Sequence, residues 1–485
     1  MSSNVGFNDK IVNAAKWSTI TQFVVKIVTP VTTMILARIL APEAFAVLTT
    51  VTMIISFAEM FSDAGFQKYL VQREFKHENE KYMYANVAFW TNFGIAILFW
   101  VIIFLFCEPI AKFVGNPGLG YVISIACVQL PLASLSSIQM ALYSRDFNFK
   151  TVFWMRLVSA IIPFFITIPL AFLGFGYWSL IIGTIFGSLS SAVILTVQST
   201  WKPKWCYKLE VIKKMLSFSV WSLIESISIW LTIWVDTFII GNVLSEYYLG
   251  LYKTSTSMVN ALFALITAAA TPVLFTTLSR LQNDPEQFNK VYFAAQRLVA
   301  TIILPMGVGV YLYSDLATQL FLGNQWSEAS GVIGIWALTS SIMIVFGHFC
   351  SEVYRAKGRP KLSLLAQVLH LVVLIPVCII CSEFGFWMLV FVRSWLRMEF
   401  VLVHFIIMNL VIGISFTKTF RNVIPPTISA LIMGLIGFFL KEMSTSVLWS
   451  IVSIAICISF YIGLLYQFSD MRQVFNAILR GLKGR

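Results

Sequence analysis

The stretch KWSTITQFVVKIVTPVTTMILARIL, residues 16–40, is the first run of the chain long enough to cross a bilayer. It also contains Lys16, Lys26, Pro30 and Arg38, which a lipid-facing helix disfavours. A charge near the bilayer centre costs a few kcal/mol, and a proline removes a backbone hydrogen bond. A spanning helix that keeps these residues is therefore expected to face protein or a water-filled cavity.

The composition of the whole chain indicates a membrane protein. Hydrophobic residues make up 58% of the 485 residues, charged residues 12%, and the mean hydropathy is +0.83. Soluble domains carry about a quarter charged residues. The apolar runs lack the two-residue alternation of outer-membrane barrels, so the backbone must satisfy its hydrogen bonds within helices. We predict an all-α polytopic membrane protein.

The apolar runs predict about fourteen transmembrane helices. They cover residues 11–38, 44–63, 82–106, 119–142, 151–172, 176–198, 215–242, 247–277, 291–313, 329–351, 362–382, 385–410, 422–440 and 446–467. The first run is too long for the core of a cleaved signal peptide and is followed by no convincing cleavage site, which indicates a retained spanning helix.

The net charge of +12 is explained by topology. If the N-terminus is cytoplasmic, most of the 34 Lys and Arg residues lie in inside segments, and the outside loops hold only Lys112 and Lys441. This asymmetry follows the positive-inside rule. Both termini are therefore predicted to be cytoplasmic, and the basic excess requires no nucleic-acid partner.

The lysine-rich stretch STWKPKWCYKLEVIKK (199–214) divides the first twelve spans into two sets of six. We predict an N-terminal six-helix bundle at residues 1–200 and a C-terminal six-helix bundle at residues 201–410. Two additional helices and a basic amphipathic cytoplasmic tail follow at residues 411–485, and the tail is expected to lie on the anionic inner leaflet.

The two bundles begin alike. ARILAPEAFAVLTT (37–50) and GNVLSEYYLGLYKT (241–254) each connect the first and second span of a bundle, and a gapless alignment places Ala46 on Gly250. Six spans return the chain to the same side, so the repeats are expected to be related by an axis along the membrane normal. Such pseudo-symmetric bundles place a substrate path, here a central cavity, at their interface.

Charged side chains within or at the edges of the predicted spans carry a positive excess. The basic ones are Lys16, Lys26, Arg38, Arg156, Lys253, Arg297, Arg393 and Arg397, and the acidic ones are Glu59, Asp63, Glu225, Asp236 and Glu399. A basic interior suits an anionic substrate. Lys16 lies near a span end and can equally snorkel to the membrane surface, whereas Lys26 lies mid-span. Pro30, four residues after Lys26, predicts a bend beside a cavity.

Two spans place their charges on one helical face. In the seventh span Glu225 and Asp236 fall about 20° apart, which suits a cation or proton site. Hydrogen bonding between helices explains the neighbouring Ser and Thr residues equally well. In the twelfth span Arg393 and Arg397 are stacked, and they could grip phosphate oxygens or pair with the two acids of the seventh span.

Two further residues of the twelfth span lie on different faces of the predicted helix. His404 lies on the face of the stacked arginines, whereas Glu399 points away and is expected to pair with a neighbouring helix.

The chain shows no motif of a soluble enzyme. There is no GxxxxGK[ST] loop for nucleotide phosphates, and the four histidines form no pair at metal-ligand spacing, so no metal site or cofactor is predicted. The outside loops are too short to display the catalytic groups of a membrane glycosyltransferase or polymerase. The missing enzyme motifs and the short outside loops therefore favour a transporter over an enzyme.

Several stretches resemble Wzx-type polysaccharide flippases of the colanic-acid-like branch. They are ARILAPEAFAVLTTVTMIISFAEMFSDAGFQKYLVQRE (37–74), VDTFIIGNVLSEYYLGLY (235–252), FTTLSRLQND (275–284), FLGNQWSEA (321–329) and YRAKGRPKL (354–362). The resemblance covers roughly residues 10–410. Ala46 stands where the family usually has glycine, a departure expected to change packing only.

The resemblance implies the fold of the multidrug/oligosaccharidyl-lipid/polysaccharide exporter superfamily, with two six-helix bundles around a cavity that alternates access. The implied substrate is an undecaprenyl-pyrophosphate-linked oligosaccharide, flipped across a bacterial inner membrane for O-antigen, capsule or exopolysaccharide synthesis. Polysaccharide polymerases and glycosyltransferases are the implied partners. Coupling to Na⁺, H⁺ or the membrane potential is suggested by related flippases.

Roles for single residues follow from combining this resemblance with position. Lys26, Lys16, Lys253, Arg393 and Arg397 are predicted to bind the pyrophosphate. Asp236, which lies on a family-like pattern, and Glu225 are predicted to couple the cation or proton, and Pro30 to bend or gate its helix. The alternatives are a cation-coupled multidrug exporter of the same fold and a membrane glycan polymerase or ligase.

Overall fold

The computed structural model describes residues 17, 20, 21, 24–63, 65–146, 148–468 and 472, with the backbone alone at 217–222. The described residues form helices and loops, with no β-strand among them. Two compact units divide the chain, Met1–Lys253 (unit 1) and Thr254–Arg485 (unit 2).

The helices of unit 1 are α1 (Val24–Ala37), α2 (Pro42–Asp63), α3 (Phe66–Gln72), α4 (Glu78–Leu105), α5 (Cys107–Phe113), α6 (Gly120–Ala126), α7 (Gln129–Arg145), α8 (Phe149–Phe172), α9 (Tyr177–Gln198) and α10 (Leu209–Val243). Helix α11 (Glu246–Arg280) contains the boundary between the units. Unit 2 continues with α12 (Pro285–Leu312), α13 (Ser314–Phe321), α14 (Ala329–Met343), α15 (Cys350–Ala356), α16 (Lys361–Ser382), α17 (Phe386–Ile407), α18 (Phe416–Asn422), α19 (Ile424–Glu442) and α20 (Val447–Gln467).

Thirteen helical segments within the described residues are long and apolar enough to cross a membrane. Each coincides with one of the predicted spans from the second to the fourteenth. The first predicted span, residues 11–38, corresponds to the shorter apolar helix α1, and its beginning lies outside the described residues. The chain is therefore an all-helical, multi-pass membrane protein, as the sequence predicts.

Unit 1 brings the two repeated motifs into backbone contact. A β-carbon added to Gly250, at the start of α11, would lie 1.8 Å from the carbonyl oxygen of Pro42 and 3.2 Å from the nitrogen of Ala46. Ala46 itself is fully buried. Small residues allow membrane helices to approach this closely. The aligned positions of the two repeats, Ala46 and Gly250, thus meet where α2 and α11 begin.

The stretch 199–208 between α9 and α10 is fastened to α4. The backbone N–H of Lys204 donates to Asn86 Oδ1 at 2.9 Å, and its carbonyl accepts from Trp90 Nε1 at 3.0 Å. Trp205 stacks on Trp90 with ring centroids 4.0 Å apart. The predicted loop between the two six-span sets is therefore an ordered strap on α4.

In unit 2, α19 packs against α12, and α20 packs against α19. The Tyr461 hydroxyl of α20 donates to the carbonyl of Thr301 at 2.8 Å, and Tyr313 donates to Ser453 Oγ at 2.9 Å. Asn422, just before α19, accepts from Arg297 Nε at 3.1 Å. These bonds join the predicted additional helices to the body of unit 2. The segment bounds at residues 200 and 410 stay a prediction, and the tail, apart from Arg472, lies outside the described residues.

Candidate functional site

Unit 1 contains an open cavity of about 620 Å³ that has polar groups in its lining, here called the unit 1 cavity. Helices α2, α3, α4, α7 and α10 line it. Its polar lining includes Ser56, Glu59, Asp63, Lys68, Asn92, Ser134, Ser136, Ser137 and Ser226, and its aromatic lining is Trp230 and Trp234. Carboxylates, hydroxyls and an amide at membrane depth are stable only beside water, a polar ligand or protein partners.

The Asp236 carboxylate lies within α10 and is 3% exposed. Its Oδ1 accepts from the Thr237 backbone N–H at 2.7 Å and from the Thr237 hydroxyl at 3.1 Å. Its Oδ2 accepts from the Tyr252 hydroxyl of α11 at 2.8 Å. Three donors satisfy a buried charge that would otherwise be costly. Asp236 therefore links α10 to α11.

Lys253 joins the same group of residues. Its ammonium lies 3.4 Å from Thr237 Oγ1 and donates to the Ile233 carbonyl at 3.2 Å. It also lies 3.8 Å from the ring centroid of Trp234, a cation–π distance. The structure thus brings together Asp236 and Lys253, which the sequence predicts for different roles. Trp234, which contacts Lys253, also lines the unit 1 cavity.

The remaining predicted residues of unit 1 are placed apart from this group. Glu225 lies half-buried in α10, and Lys26 lies half-buried in α1. Helix α1 continues through Pro30, which has no N–H to offer the Lys26 carbonyl four residues earlier. The predicted bend at Pro30 and the gripping role of Lys26 stay predictions. Lys16 lies outside the described residues.

In unit 2, Arg393 and Arg397 of α17 share one aromatic ring. The guanidinium carbon lies 3.4 Å from the Trp336 centroid for Arg397 and 5.5 Å for Arg393. Arg397 also donates to Ser340 Oγ, and Trp336 Nε1 donates to Asn260 Oδ1 at 3.1 Å. We call Arg393, Arg397 and Trp336 the guanidinium cluster. Arg393 is 6% exposed, and stacking on the ring orients both planar guanidinium groups.

The other charged side chains of α17 pair with neighbouring helices. Glu399 Oε2 lies 2.6 Å from His370 Nδ1 on α16, which confirms the predicted pairing with another helix. The Nδ1 atom of His404 lies 3.1 Å from the Tyr354 hydroxyl of α15, so this side chain contacts α15 rather than the two arginines. Within the described residues, no group of three or more His, Cys, Asp or Glu side chains could hold a metal ion.

Unit 2 also contains an apolar groove of about 580 Å³, the unit 2 groove, lined by α11, α12, α13, α19 and α20. Leu298, Ile302 and Met306 contribute from α12. The Tyr313 and Tyr461 hydroxyls at its edge donate to Ser453 Oγ and the Thr301 carbonyl. Because these hydroxyls are engaged elsewhere, the groove presents hydrocarbon.

Sequence reasoning missed the unit 1 cavity and the unit 2 groove. Glu59 and Asp63 were recognised as charges within a span, and their i,i+4 spacing places both on one face of α2. That spacing was the available signal for a polar site. Asn92 and Trp230 carry no local pattern that would connect them to it.

These features define a multi-pass membrane protein with charged and polar sites inside its helical units. The family model described as "Polysaccharide biosynthesis protein" matches residues 35–331, more than half of the chain. The chain therefore belongs to the polysaccharide biosynthesis protein family.

Characterised relatives support this assignment. The succinoglycan biosynthesis transport protein ExoT of Rhizobium meliloti is 26% identical over 64% of this chain, and the alignment spans 63% of ExoT, just under two thirds of its length. The lipopolysaccharide biosynthesis protein WzxC of Escherichia coli is 22% identical over 85% of this chain and 84% of its own length. The predicted resemblance to Wzx-type flippases is confirmed.

Solved structures show the same fold. The lipid II flippase MurJ in an inward closed conformation aligns with a TM-score of 0.78 at 18% identity, covering 95% of this chain and all of MurJ. An inward-facing multidrug MATE transporter aligns with a TM-score of 0.65 at 12% identity, covering 81% of this chain and 98% of that structure. The predicted superfamily fold is thus confirmed.

Proposed function

We propose that the chain is a flippase that moves an undecaprenyl-pyrophosphate-linked oligosaccharide from the cytoplasmic to the periplasmic leaflet by alternating access. It would act in the bacterial inner membrane, with both termini cytoplasmic, and supply surface polysaccharide synthesis. Polysaccharide polymerases and glycosyltransferases would act beside it. The family match and the transport roles named for relatives support this proposal.

The observation that carries the lipid part of the proposal is the unit 2 groove. Its lining is hydrocarbon along α12 and α20, and its hydroxyls are engaged with protein acceptors. A surface of this kind packs against a polyprenyl chain by van der Waals contact, because the chain leaves bilayer hydrocarbon rather than water when it enters the groove. The groove would keep the chain in contact with the protein while the headgroup is transported.

The charged part of the substrate would be held by basic side chains in both units. Arg393 and Arg397 stack on one ring in unit 2, and guanidinium groups in this arrangement bind phosphate oxygens bidentately. Lys253 and Lys26 would add ammonium groups in unit 1, with Lys16 as a further candidate. Each unit would thus offer its own candidate cations for the pyrophosphate.

Energy coupling would involve Asp236 and Glu225. A coupling ion or proton drives transport only if it binds one conformation better than the other. Asp236 is suited to this role because its hydrogen bond from Tyr252 connects α10 and α11, so a change in the charge of Asp236 alters that connection. Na⁺, H⁺ and the membrane potential are distinguished by imposing each gradient alone.

A proteoliposome assay with a fluorescent lipid-pyrophosphate oligosaccharide tests the proposal. Gly309 lines the unit 2 groove, and a β-carbon there meets no atom within 4 Å, so Gly309→Leu extends a side chain from an unobstructed position on the groove wall. The added side chain would displace part of the lipid chain from the groove and should slow flipping. Gly94→Leu is the matched control, because Gly94 also lies in a spanning helix with open space around it. Equal flipping by both variants would refute the lipid-groove assignment.

The same assay tests the phosphate grip at Lys26. Lys26→Arg keeps the charge and should retain flipping, whereas Lys26→Ala should lose most of it. Wild-type rates in both variants would reject this role. Cation-driven dye efflux without lipid flipping would identify a multidrug exporter, and glycosidic bond formation by the purified chain would identify a polymerase or ligase; either result overturns the proposal.

A further inference from the structure

The unit 1 cavity has a lining that neither the lipid chain nor the pyrophosphate explains. Two carboxylates, two amides, a lysine, several serine hydroxyls and two indole rings line about 620 Å³. This volume lies within the range of about 300–1,000 Å³ typical of small-molecule sites and is far larger than an ion. Acidic groups also repel a phosphate. The lining of the cavity is therefore suited to an uncharged or cationic polar ligand.

Asn92 offers an unsatisfied acceptor to such a ligand. Its side chain lines the cavity and is 2% exposed, and its Oδ1 is buried with no hydrogen-bond partner among the residues that the structure describes. The Ser137 hydroxyl donates to the Ser134 carbonyl at 3.1 Å and accepts from Asn92 Nδ2 at 2.6 Å. This chain of bonds fixes the amide with its nitrogen toward Ser137. Since a buried acceptor left unpaired is unfavourable, Oδ1 is suited to an O–H or N–H donor from a ligand.

Trp230 provides a rigid aromatic surface at the same cavity. Its Nε1 donates to Ser56 Oγ at 3.0 Å, and Phe57 packs against it edge-on with centroids 5.0 Å apart. These contacts hold the indole in one orientation. The face of an aromatic ring is negative and attracts polarised C–H groups, such as those on one side of a pyranose ring. A fixed indole beside hydrogen-bonding groups is a combination suited to a sugar.

The two carboxylates of the lining indicate which class of sugar the cavity suits. Glu59 and Asp63 line the cavity from successive turns of α2, and Lys68 is the basic side chain of the lining. Carboxylates accept strong hydrogen bonds from hydroxyl and ammonium groups. The lining holds two acidic side chains and one basic one, so it offers more acceptors for hydroxyl and ammonium groups than donors for a further carboxylate, which favours a neutral or amino sugar over a uronic acid.

We propose that the unit 1 cavity is a glycan subsite that binds a neutral or amino sugar residue of the transported oligosaccharide. Trp230 stacks on the sugar ring, Asn92 Oδ1 accepts from a hydroxyl or amide N–H, and Glu59 and Asp63 accept from further hydroxyl or ammonium groups. The assignment rests on the proposed flippase function and adds a determinant of which glycan is accepted.

Saturation-transfer difference NMR on the purified chain in detergent tests the subsite without requiring flipping. The probes are millimolar glucose, N-acetylglucosamine, glucosamine and glucuronate. Wild-type protein should transfer saturation to the first three more strongly than to glucuronate. Trp230→Phe should weaken that transfer about fivefold, the effect of losing roughly 1 kcal/mol of stacking. Trp178→Phe is the control, because Trp178 is a half-buried indole of unit 1 outside the cavity.

A charge variant separates sugar recognition from loss of folding. Glu59→Gln combined with Asp63→Asn removes both negative charges while keeping side-chain shape. The proposal expects the preference for glucosamine over glucuronate to fall or reverse, a change of ratio that unfolding does not produce. An unchanged ratio, or equal transfer in Trp230→Phe and wild type, would overturn the subsite.

Parallel flipping assays keep the two proposals distinguishable. If the wild type flips the lipid-linked oligosaccharide but shows no Trp230-dependent sugar signal, the subsite is wrong and the flippase assignment stands. If sugar binds as expected but no lipid is flipped, the proposed function is wrong. If the Glu59 and Asp63 variant alters only the Na⁺ or pH dependence of flipping, the cavity is a cation site and the glycan subsite is overturned.

Discussion

Replacing Gly250 with alanine should disrupt unit 1 where its two repeated motifs meet. The new β-carbon would lie 1.8 Å from the Pro42 carbonyl oxygen. An ordinary contact between these atoms needs more than 3 Å, so the starts of α2 and α11 would have to separate by more than 1 Å. The obstacle is backbone, so no rotation of a side chain relieves it. Overpacking of this kind costs about 1–3 kcal/mol, and the lack of any relief places Gly250→Ala at the upper end.

Thermal unfolding of the purified protein in detergent measures this cost. At about 2–4 °C per kcal/mol for a unit of this size, Gly250→Ala should lower Tm by several degrees. Flipping should also fall, because Tyr252 and Lys253 lie within one turn of Gly250 and contact α10. Gly94→Ala is the control: its β-carbon meets nothing within 4 Å, so replacing a helical glycine should raise stability slightly. Equal Tm values for Gly250→Ala and wild type would refute the close approach of α2 and α11.

Three further outcomes are expected. Tyr252→Phe removes a hydroxyl donor from the buried Asp236 carboxylate and should cost about 1–3 kcal/mol in thermal unfolding, whereas an unchanged Tm would show that the bond contributes nothing. Burial alone would raise the pKa of Asp315, but the hydrogen bond and charge of Lys441 hold that pKa below its ordinary value. The ion pair of Asp315 and Lys441 therefore stabilises the fold above about pH 4, and this stabilisation is lost as the pH falls further. Because the Asp315 side chain is 69% exposed, the Tm difference from Asp315→Asn should be small near pH 7 and vanish near pH 3. Arg397→Lys keeps the charge but loses the planar stack, so it should reduce flipping more than it reduces Tm, and equal flipping would remove Arg397 from the pyrophosphate site.

Local sequence patterns were sufficient to predict the spanning helices, because hydropathy is a property of consecutive residues. Each predicted span from the second onward lies on a helix of the structure. The direction of Glu399 away from the arginines also followed from helical spacing, and the structure pairs it with His370. The equivalence of Ala46 and Gly250 could likewise be seen in a gapless alignment, although their contact could not.

Contacts between distant helices were beyond such patterns. Asn92 and Ser137 are 45 positions apart, and Arg397 and Ser340 are 57 apart. No residue near Arg397 in the sequence indicates that its partner ring belongs to Trp336. The role of such a side chain depends on the rotation of two helices about their axes and on their relative height, and neither quantity is encoded in a single apolar run.

The sequence by itself determined that this chain is a multi-pass helical membrane protein, because burying apolar runs in lipid forces the backbone into helices. It also showed which spans carry charge. Only the tertiary structure decided how those charges are used: Asp236 is held by Tyr252 and meets Lys253 through Thr237, while two arginines share one indole. The physical reason is that the cost of a buried charge depends on the groups it meets, and packing between helices selects those groups.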